Sequence, residues 1–473
     1  MGDKIKKFLS KPLNQLIVVA VILAVLLVCV GNFRSMFIKI LVALIVFSLI
    51  IIIHEFGHFI LAKKNGIGVT DFSLGMGPKI WSVQKGETTY SLRWLPLGGS
   101  CMMVGEDQDI ELDNAFNKKS VWARMSVVVA GPVFNFILAF ILSLVLVGIV
   151  GWDYAKVTNV IDNMPAKEAG LKKGDIILEV NGREIINARD LQSQLNMFYP
   201  IDSTDPVTMV VSRKGEKKTF TVNPKKVVEY VITGAELEGN TELTIIKSVE
   251  EDSPLDKAGL KAGDRIVGIN GTVTETYEEF EDYIINNDLE KNIEIEYVRE
   301  NDTKHNVQVN LTEKNESYMV GFVYSQQRTE GLSAVQTIKY SACEVKYWIK
   351  VAVQSLGYMI KGKASRKDVS GPLGMVNFIG DAYEESYNED GLGYATLNMM
   401  YICILLSANI GVMNLLPIPA LDGGRLLFLI IEAIRRKPIK REVEGMIHAI
   451  GLILLMILMV FVFFNDAINI AGK

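Results

Sequence analysis

Five stretches of the chain are apolar enough, for long enough, to cross a lipid bilayer, and the polar sequence between them falls into two blocks. Leu13–Phe33 is an uncharged apolar run, and Met36–Ala62 follows after a short turn with Lys39 as its one charge before the motif at its end. A third run extends from Met125 to about Val150. A fourth starts at Leu397 and is interrupted by Pro417 and Pro419, and a fifth spans about Val443–Phe464. Residues 65–123 instead alternate over short stretches such as Thr70-Asp71-Phe72-Ser73-Leu74 and Thr88-Thr89-Tyr90-Ser91-Leu92, a strand period, punctuated by glycine and proline. That block is either a small sheet at membrane depth beside the second span or a cytoplasmic hairpin. Backbone at membrane depth must be buried in protein or line a watery cavity. From Trp152 to about Asp390 the pattern is that of a soluble protein, ending in a stretch (332–361) with apolar residues at helical spacing. Its apolar face lies either on the membrane surface or against the soluble block.

The soluble block repeats itself. Ala169-Gly170-Leu171, Gly174-Asp175, Ile177 and Asn181-Gly182 recur as Ala258-Gly259-Leu260, Gly263-Asp264, Ile266 and Asn270-Gly271 at a constant offset of 89 residues. Each copy predicts a short helix ended by glycine, a Gly-Asp turn, a strand and an Asn-Gly turn, then a second helix and a hairpin. This arrangement resembles the PDZ domain, with cores at roughly 155–228 and 240–313. The resemblance implies capture of extended peptides on an open sheet edge, although no ligand-reading residue stands out.

The expected fold is therefore a multi-span α-helical membrane protein with a membrane-associated β-hairpin region and two inserted α+β modules. Its expected divisions are 1–35 (basic N-terminus and extra transmembrane helix), 36–64, 65–123, 124–151, 152–228, 229–326, 327–395 (amphipathic connector), 396–434 (broken transmembrane helix) and 435–473. The hydrophobic content of 49% and mean hydropathy of +0.25 fit such a mixture. The first run, after Lys4, Lys6, Lys7 and Lys11, has the outline of a signal peptide, but its length and the lack of a small-x-small site favour a retained anchor. A basic N-terminus and Lys63-Lys64 place both on the cytoplasmic side, and the soluble modules outside. A net charge of −5 offers no basic face to nucleic acid, and four scattered cysteines make neither a disulfide framework nor a cysteine-type zinc site.

The chemistry concentrates at the end of the second run, His54-Glu55-Phe56-Gly57-His58. Histidines four apart face the same way on a helix, and a Glu between them can act on water bound to a shared ion, the pattern of zinc metalloproteases. His58 precedes Lys63 by only about 7–8 Å of helix, so the ion would sit within the membrane near its cytoplasmic side. A catalytic zinc wants three protein ligands. His305 falls on the outer side, His448 reads as interfacial, and no cysteine has a suitable neighbour, which leaves Asp422 after the Pro417/Pro419 break. The plainer reading of Asp422 is a cap on the restarting helix.

Together, His54-Glu55-Phe56-Gly57-His58, the inserted repeat, Ser370-Gly371-Pro372-Leu373-Gly374 and Asn414…Pro417-Ile418-Pro419…Leu421-Asp422-Gly423 resemble the site-2 protease family, in its bacterial regulator-of-sigma-factor type. The likeness covers nearly everything after residue 36. It implies Zn2+ held by His54, His58 and Asp422, Glu55 as the catalytic base, and Asn414 in contact with substrate. It also implies a membrane-re-entrant β-loop around Gly75-Met76-Gly77, with Gly75 and Gly77 near the substrate. The implied partners are the lipid bilayer of the cell's inner or plasma membrane and single-span membrane proteins already shortened by a first protease, such as anti-sigma factors or remnant signal peptides. The repeat would exclude bulky outer domains. Two features depart from many members: the extra N-terminal span, and Arg425 where many carry His. A catalytically silent receptor that captures peptides through the repeat is the other class to weigh, and an intact Glu55 argues against it. A metal transporter would need a polar path where only one cluster is found.

Overall fold

The computed structural model describes residues 31–471 except 107, 109, 232–234, 238–242, 275, 288, 300–302 and 366–369. Nearly all of the expected first span, Leu13–Phe33, lies outside the described residues. The chain divides into two units, one formed by residues up to Asp153 together with Gln327–Lys473, the other by Tyr154–Gln326.

Among the described residues the first unit contains the α-helices α1 (Gly31–Lys64), α2 (Val121–Val150), α3 (Ala334–Ile360), α4 (Pro372–Leu415), α5 (Asp422–Arg435) and α6 (Arg441–Ala471). Among the described residues four stretches are long and apolar enough to span a membrane: Ser35–Lys64, Val121–Val150, Pro372–Leu415 and Glu442–Ile468. α4 is two arms meeting at Gly391, whose φ of 77° only glycine adopts without strain, so the polar 372–390 arm and the apolar arm after it are joined by a break. The helices meet through small residues, as packing without a hydrophobic drive demands. A methyl group on Gly57 would lie 2.4 Å from the Ala130 carbonyl oxygen, and one on Gly411 would lie 2.7 Å from the Phe136 ring. Ala43, Ile50, Leu138, Ile379, Ile402 and Cys403 form the buried seam between α1, α2 and α4. Lys39, the one charge between Arg34 and Glu55 on α1, reaches Asp381 at 2.5 Å and Glu384 at 3.2 Å on the polar arm of α4. Asp466 near the end of α6 accepts from the Gly371 and Gly374 N–H groups, both at 2.8 Å, and so caps the start of α4 from another helix. The last helix otherwise exposes large apolar side chains such as Ile453, Ile457 and Phe461, a surface suited to lipid.

The alternating block forms β1 (Val69–Lys85) and β2 (Thr88–Met103), but not a plain hairpin. Residues 71–74 pair with both 89–92 and 99–102, while 79–85 pairs with 88–93. Each long strand is therefore bent into two arms, and the ribbon becomes a compact four-segment sheet. Gly75, Gly77 and Gly98 sit at the bends with φ of 86–89°. Ile67, Val69, Cys101 and Phe116 pack with Val127 of α2 and Leu429 of α5, so the sheet is anchored on the helices rather than free.

The second unit contains β3 (Lys156–Val160), β4 (Ile176–Val180), β5 (Arg183–Glu184), β6 (Val207–Arg213), β7 (Glu216–Val222), β8 (Lys225–Val231) and β9 (Ala235–Leu237). It continues with β10 (Thr244–Val249), β11 (Arg265–Ile269), β12 (Thr272–Val273), β13 (Asn292–Arg299), β14 (Thr303–Asn310), β15 (Thr312–Met319) and β16 (Phe322–Ser325). The 89-residue repeat has a shared geometry. Asp175 accepts from the Lys172 N–H and from Arg213 in a two-bond fork, and Asp264 accepts from Lys261 N–H and Arg299 in the same way. Asn181 and Asn270, both left-handed, each accept an N–H from the neighbouring strand, that of Thr208 and Glu294 respectively. Burial alone would raise the Asp175 carboxyl, but Arg213 and the Lys172 N–H outweigh it and hold it below the usual carboxylate value.

One boundary differs from expectation. The sheet orders are β16-β3-β4-β6-β7 and β14-β13-β11-β10-β9, with β8 and β15 paired as a separate ribbon. Residues 322–325, placed by spacing in the second module (229–326), pair with β3 and complete the sheet of the first. The second copy is thus inserted within the first, not strung after it, because strand pairing answers to backbone hydrogen bonds and not to order along the chain.

Candidate metal centre

The second half of α1 brings His54 and His58 onto one face, both about nine-tenths buried, with ring centroids 4.9 Å apart and Nε2 atoms 3.3 Å apart. The break at Pro417 and Pro419 ends α4, and α5 restarts with Leu421 in extended conformation as its capping residue. Leu421 offers no side-chain cap and Asp422 is the first helical residue, so its carboxylate is not spent on capping. It turns instead to the histidines: Oδ2 lies 3.1 Å from His54 Nε2 and 3.4 Å from His58 Nε2. Among the described residues this is the group of three whose donor atoms lie within metal-binding reach of one another.

These residues fit a zinc ion. Corners of a tetrahedron with bonds of about 2.0–2.1 Å are roughly 3.3–3.4 Å apart, and the three donors are separated by 3.1, 3.3 and 3.4 Å. Apart from the two imidazoles, no hydrogen-bond partner reaches the buried Oδ2 of Asp422 among the described residues, so a cation shared with the rings would satisfy it. Space has been kept for the rings as well. A methyl group on Gly131 would sit 2.3 Å from His58 Nε2 and 2.7 Å from His54 Nε2.

Helix α2 supports the cluster from behind. Pro132 withdraws an N–H from its ladder, and nearby the Val127 carbonyl accepts from His58 Nδ1 at 2.8 Å. The fully buried Asn135 places its carboxamide 3.2 Å from His54 Nδ1. The Asp422 turn is held by α6: His448 Nδ1 accepts the Ala420 N–H at 2.8 Å, and a methyl group on Gly451 would lie 2.4 Å from Pro419 Cβ. His448, read from sequence as interfacial, thus has a defined partner two residues before Asp422. Arg425 pairs with Glu106 at the end of the β-sheet segment, which explains a basic side chain there.

Glu55 lies on the turn between the histidines, and its neighbour across the gap is the sheet. A methyl group on Gly99 would come within 2.8 Å of Glu55 Cγ and 2.9 Å of Ile51 Cγ2. The 99–103 arm therefore passes directly beside Glu55. Gly75 and Gly77 are at the bend of that sheet, with Gly98 against Met76 between them and Gly99. Asn414 is half-buried in the last turn of α4. The sequence did not single out Gly99, Gly131, Val127 or Asn135 as site residues. Gly131 and Asn135 were visible only as small and polar positions inside an apolar helix.

Two imidazoles and a carboxylate around one point, with a glutamate on the same helical turn, define a metal-dependent hydrolase. The comparisons agree. Residues 42–458 match peptidase family M50, and the chain belongs to that family. Zinc metalloprotease RasP of Geobacillus kaustophilus is 31% identical over 436 residues, covering 89% of this chain and 96% of its own. An inferred zinc metalloprotease of Clostridium acetobutylicum is 29% identical over 432 residues, covering 91% and 98%. The protein is a zinc metalloprotease with helices suited to a membrane.

Proposed function

We propose that the protein is an intramembrane endopeptidase that cuts the transmembrane segment of single-span membrane proteins after a first cleavage has removed their outer domain. The observation that carries this reading is the position of the His54–His58–Asp422 cluster, on α1 and at the restart after α4, two helices of bilayer-spanning character. Zinc held by His54, His58 and Asp422 would polarise the scissile carbonyl and lower the pKa of water. Glu55 takes the proton from the attacking water and returns it to the leaving amine. A helical substrate has its carbonyls locked in hydrogen bonds and must unwind first, and the 99–103 arm beside Glu55 offers backbone along which an extended segment can lie. Asn414, Gly75 and Gly77 are assigned to substrate contact from the family motifs. The two repeats in the second unit act as peptide-capturing PDZ-like modules on the outer side that exclude substrates with large ectodomains. Their outermost strands β16 and β9 support strand addition.

The test is cleavage of a truncated single-span substrate by the detergent-purified protein. Cleavage is expected to stop with a zinc chelator and to fall by about 10²–10⁴ in Glu55→Gln, with bound zinc retained. A Glu55→Gln protein that remains fully functional in cells would favour the silent peptide receptor instead.

A further inference from the structure

His58 fixes its own tautomer. Its Nδ1 faces the Val127 carbonyl at 2.8 Å, and a carbonyl only accepts, so Nδ1 carries the proton and Nε2 turns its lone pair toward Asp422. His54 must present the same lone pair if both rings are to ligate one ion, yet its Nδ1 faces a carboxamide, which can donate or accept. The side-chain nitrogen of Asn135 stands 3.2 Å from His54 Nδ1, and the side-chain oxygen is buried with no hydrogen-bond partner among the described residues. With nitrogen toward the ring, Asn135 donates, the proton moves to Nε2, and His54 cannot ligate. With the carboxamide turned over, which heavy-atom positions alone do not distinguish, the oxygen accepts Nδ1–H and the lone pair faces the ion.

We propose that Asn135 is the positioning residue that selects the ligating tautomer of His54 by accepting its Nδ1–H through the carboxamide oxygen. This rests on the metal assignment of the proposed function. The residue is placed to do it: it is fully buried, and Ser407 Oγ donates to its backbone carbonyl at 2.8 Å, tying this level of α2 to α4. Two turns earlier on the same helix is the Val127 carbonyl that serves His58, with Gly131 between them leaving room for both rings. One helix thus sets both imidazoles.

The experiment measures zinc affinity of the full-length protein in detergent by competition with a chromophoric chelator, alongside the thermal midpoint of the metal-free form. Asn135→Leu removes the acceptor and is expected to weaken zinc by about 10–100-fold while leaving the metal-free midpoint near wild type. Asn135→Asp keeps an acceptor at the same place and is expected to restore affinity to within a few-fold. Wild-type affinity in Asn135→Leu overturns the proposal, as does an Asn135→Asp protein that binds as weakly as Asn135→Leu. Should Asn135→Leu not fold, the Asp variant alone decides, since weak zinc binding by a folded Asn135→Asp sinks the assignment. A wild-type protein that takes up no zinc, or a His54→Ala protein that binds as well as wild type, defeats the metal assignment beneath it and is told apart by that control.

Discussion

Gly131 holds open the space in which His58 Nε2 sits, since a methyl group at position 131 would come within 2.3 Å of that nitrogen. Real carbon–nitrogen contacts of this kind do not occur, so one side must move, and the interior of a packed bundle resists it. Gly131→Ala is expected to lower zinc affinity by about ten-fold or more, measured by chelator competition. Gly148→Ala is the matched control on the same helix. Its methyl group would make an ordinary 3.7 Å contact with Thr337, and it is expected to leave zinc unchanged.

Gly99 separates the metal centre from the catalytic geometry. The three atoms nearest a methyl group there would be Glu55 Cγ, Ile51 Cγ2 and the Ser73 carbonyl oxygen, and none of them belongs to a proposed ligand. Gly99→Ala is therefore expected to reduce turnover by about 10–100-fold with zinc content intact, since small displacements of a reacting group are costly. Equal loss of zinc and activity would show that the sheet supports the metal site instead.

In the first repeat, Asp175 is almost fully buried and its fork with Arg213 uses two bonds of 2.7 Å. Removing the cation leaves a buried carboxylate unpaired, so Arg213→Met is expected to cost about 3 kcal/mol in local stability, read from hydrogen exchange of β4 and β6 in the full-length protein. The pH dependence follows from the lowered Asp175 value. A depressed folded-state pKa contributes stability that is present above the unfolded carboxyl value of about 4 and lost as pH falls through the folded value. The difference between wild type and Arg213→Met should therefore be full near pH 7 and shrink in acid.

Asp466 caps α4 across 95 residues of sequence through the Gly371 N–H. Asp466→Ala is expected to cost about 1–2 kcal/mol at that helix start, seen as roughly 5–30-fold faster exchange of the Gly371 and Gly374 amides. Unchanged exchange there would mean that the α4 N-terminus is held by packing alone.

Much of this was legible in the sequence, and the reason differs from part to part. The spans after residue 36 and the His54/Glu55/His58 turn are local patterns, so periodicity reveals them. Asp422 was reached by asking which group could complete a three-ligand site, a question about chemistry rather than fold. The repeats announced themselves through a constant offset, and the forked Asp175–Arg213 and Asp264–Arg299 pairs supply its physical meaning. What stayed hidden was long-range. The bending of β1 and β2 into a four-segment sheet depends on φ values at Gly75, Gly77 and Gly98, and only that bending carries Gly99 to Glu55. Val127 acts through a backbone carbonyl, which no side-chain pattern records. Asn135 shows no role in the sequence because its partner is 81 positions away.

The pairing of β16 with β3 has a consequence for biosynthesis. As the chain leaves the ribosome, the opening strand of the outer module appears more than 150 residues before the strand that closes its sheet. Everything needed for the inner module is made in that interval. At about 5–20 residues per second it has many seconds to mature while its host waits half-built with an open edge. Birth order and folding order are therefore inverted along this stretch, and a lesion that stalls the inner module would leave the outer one unfinished as well.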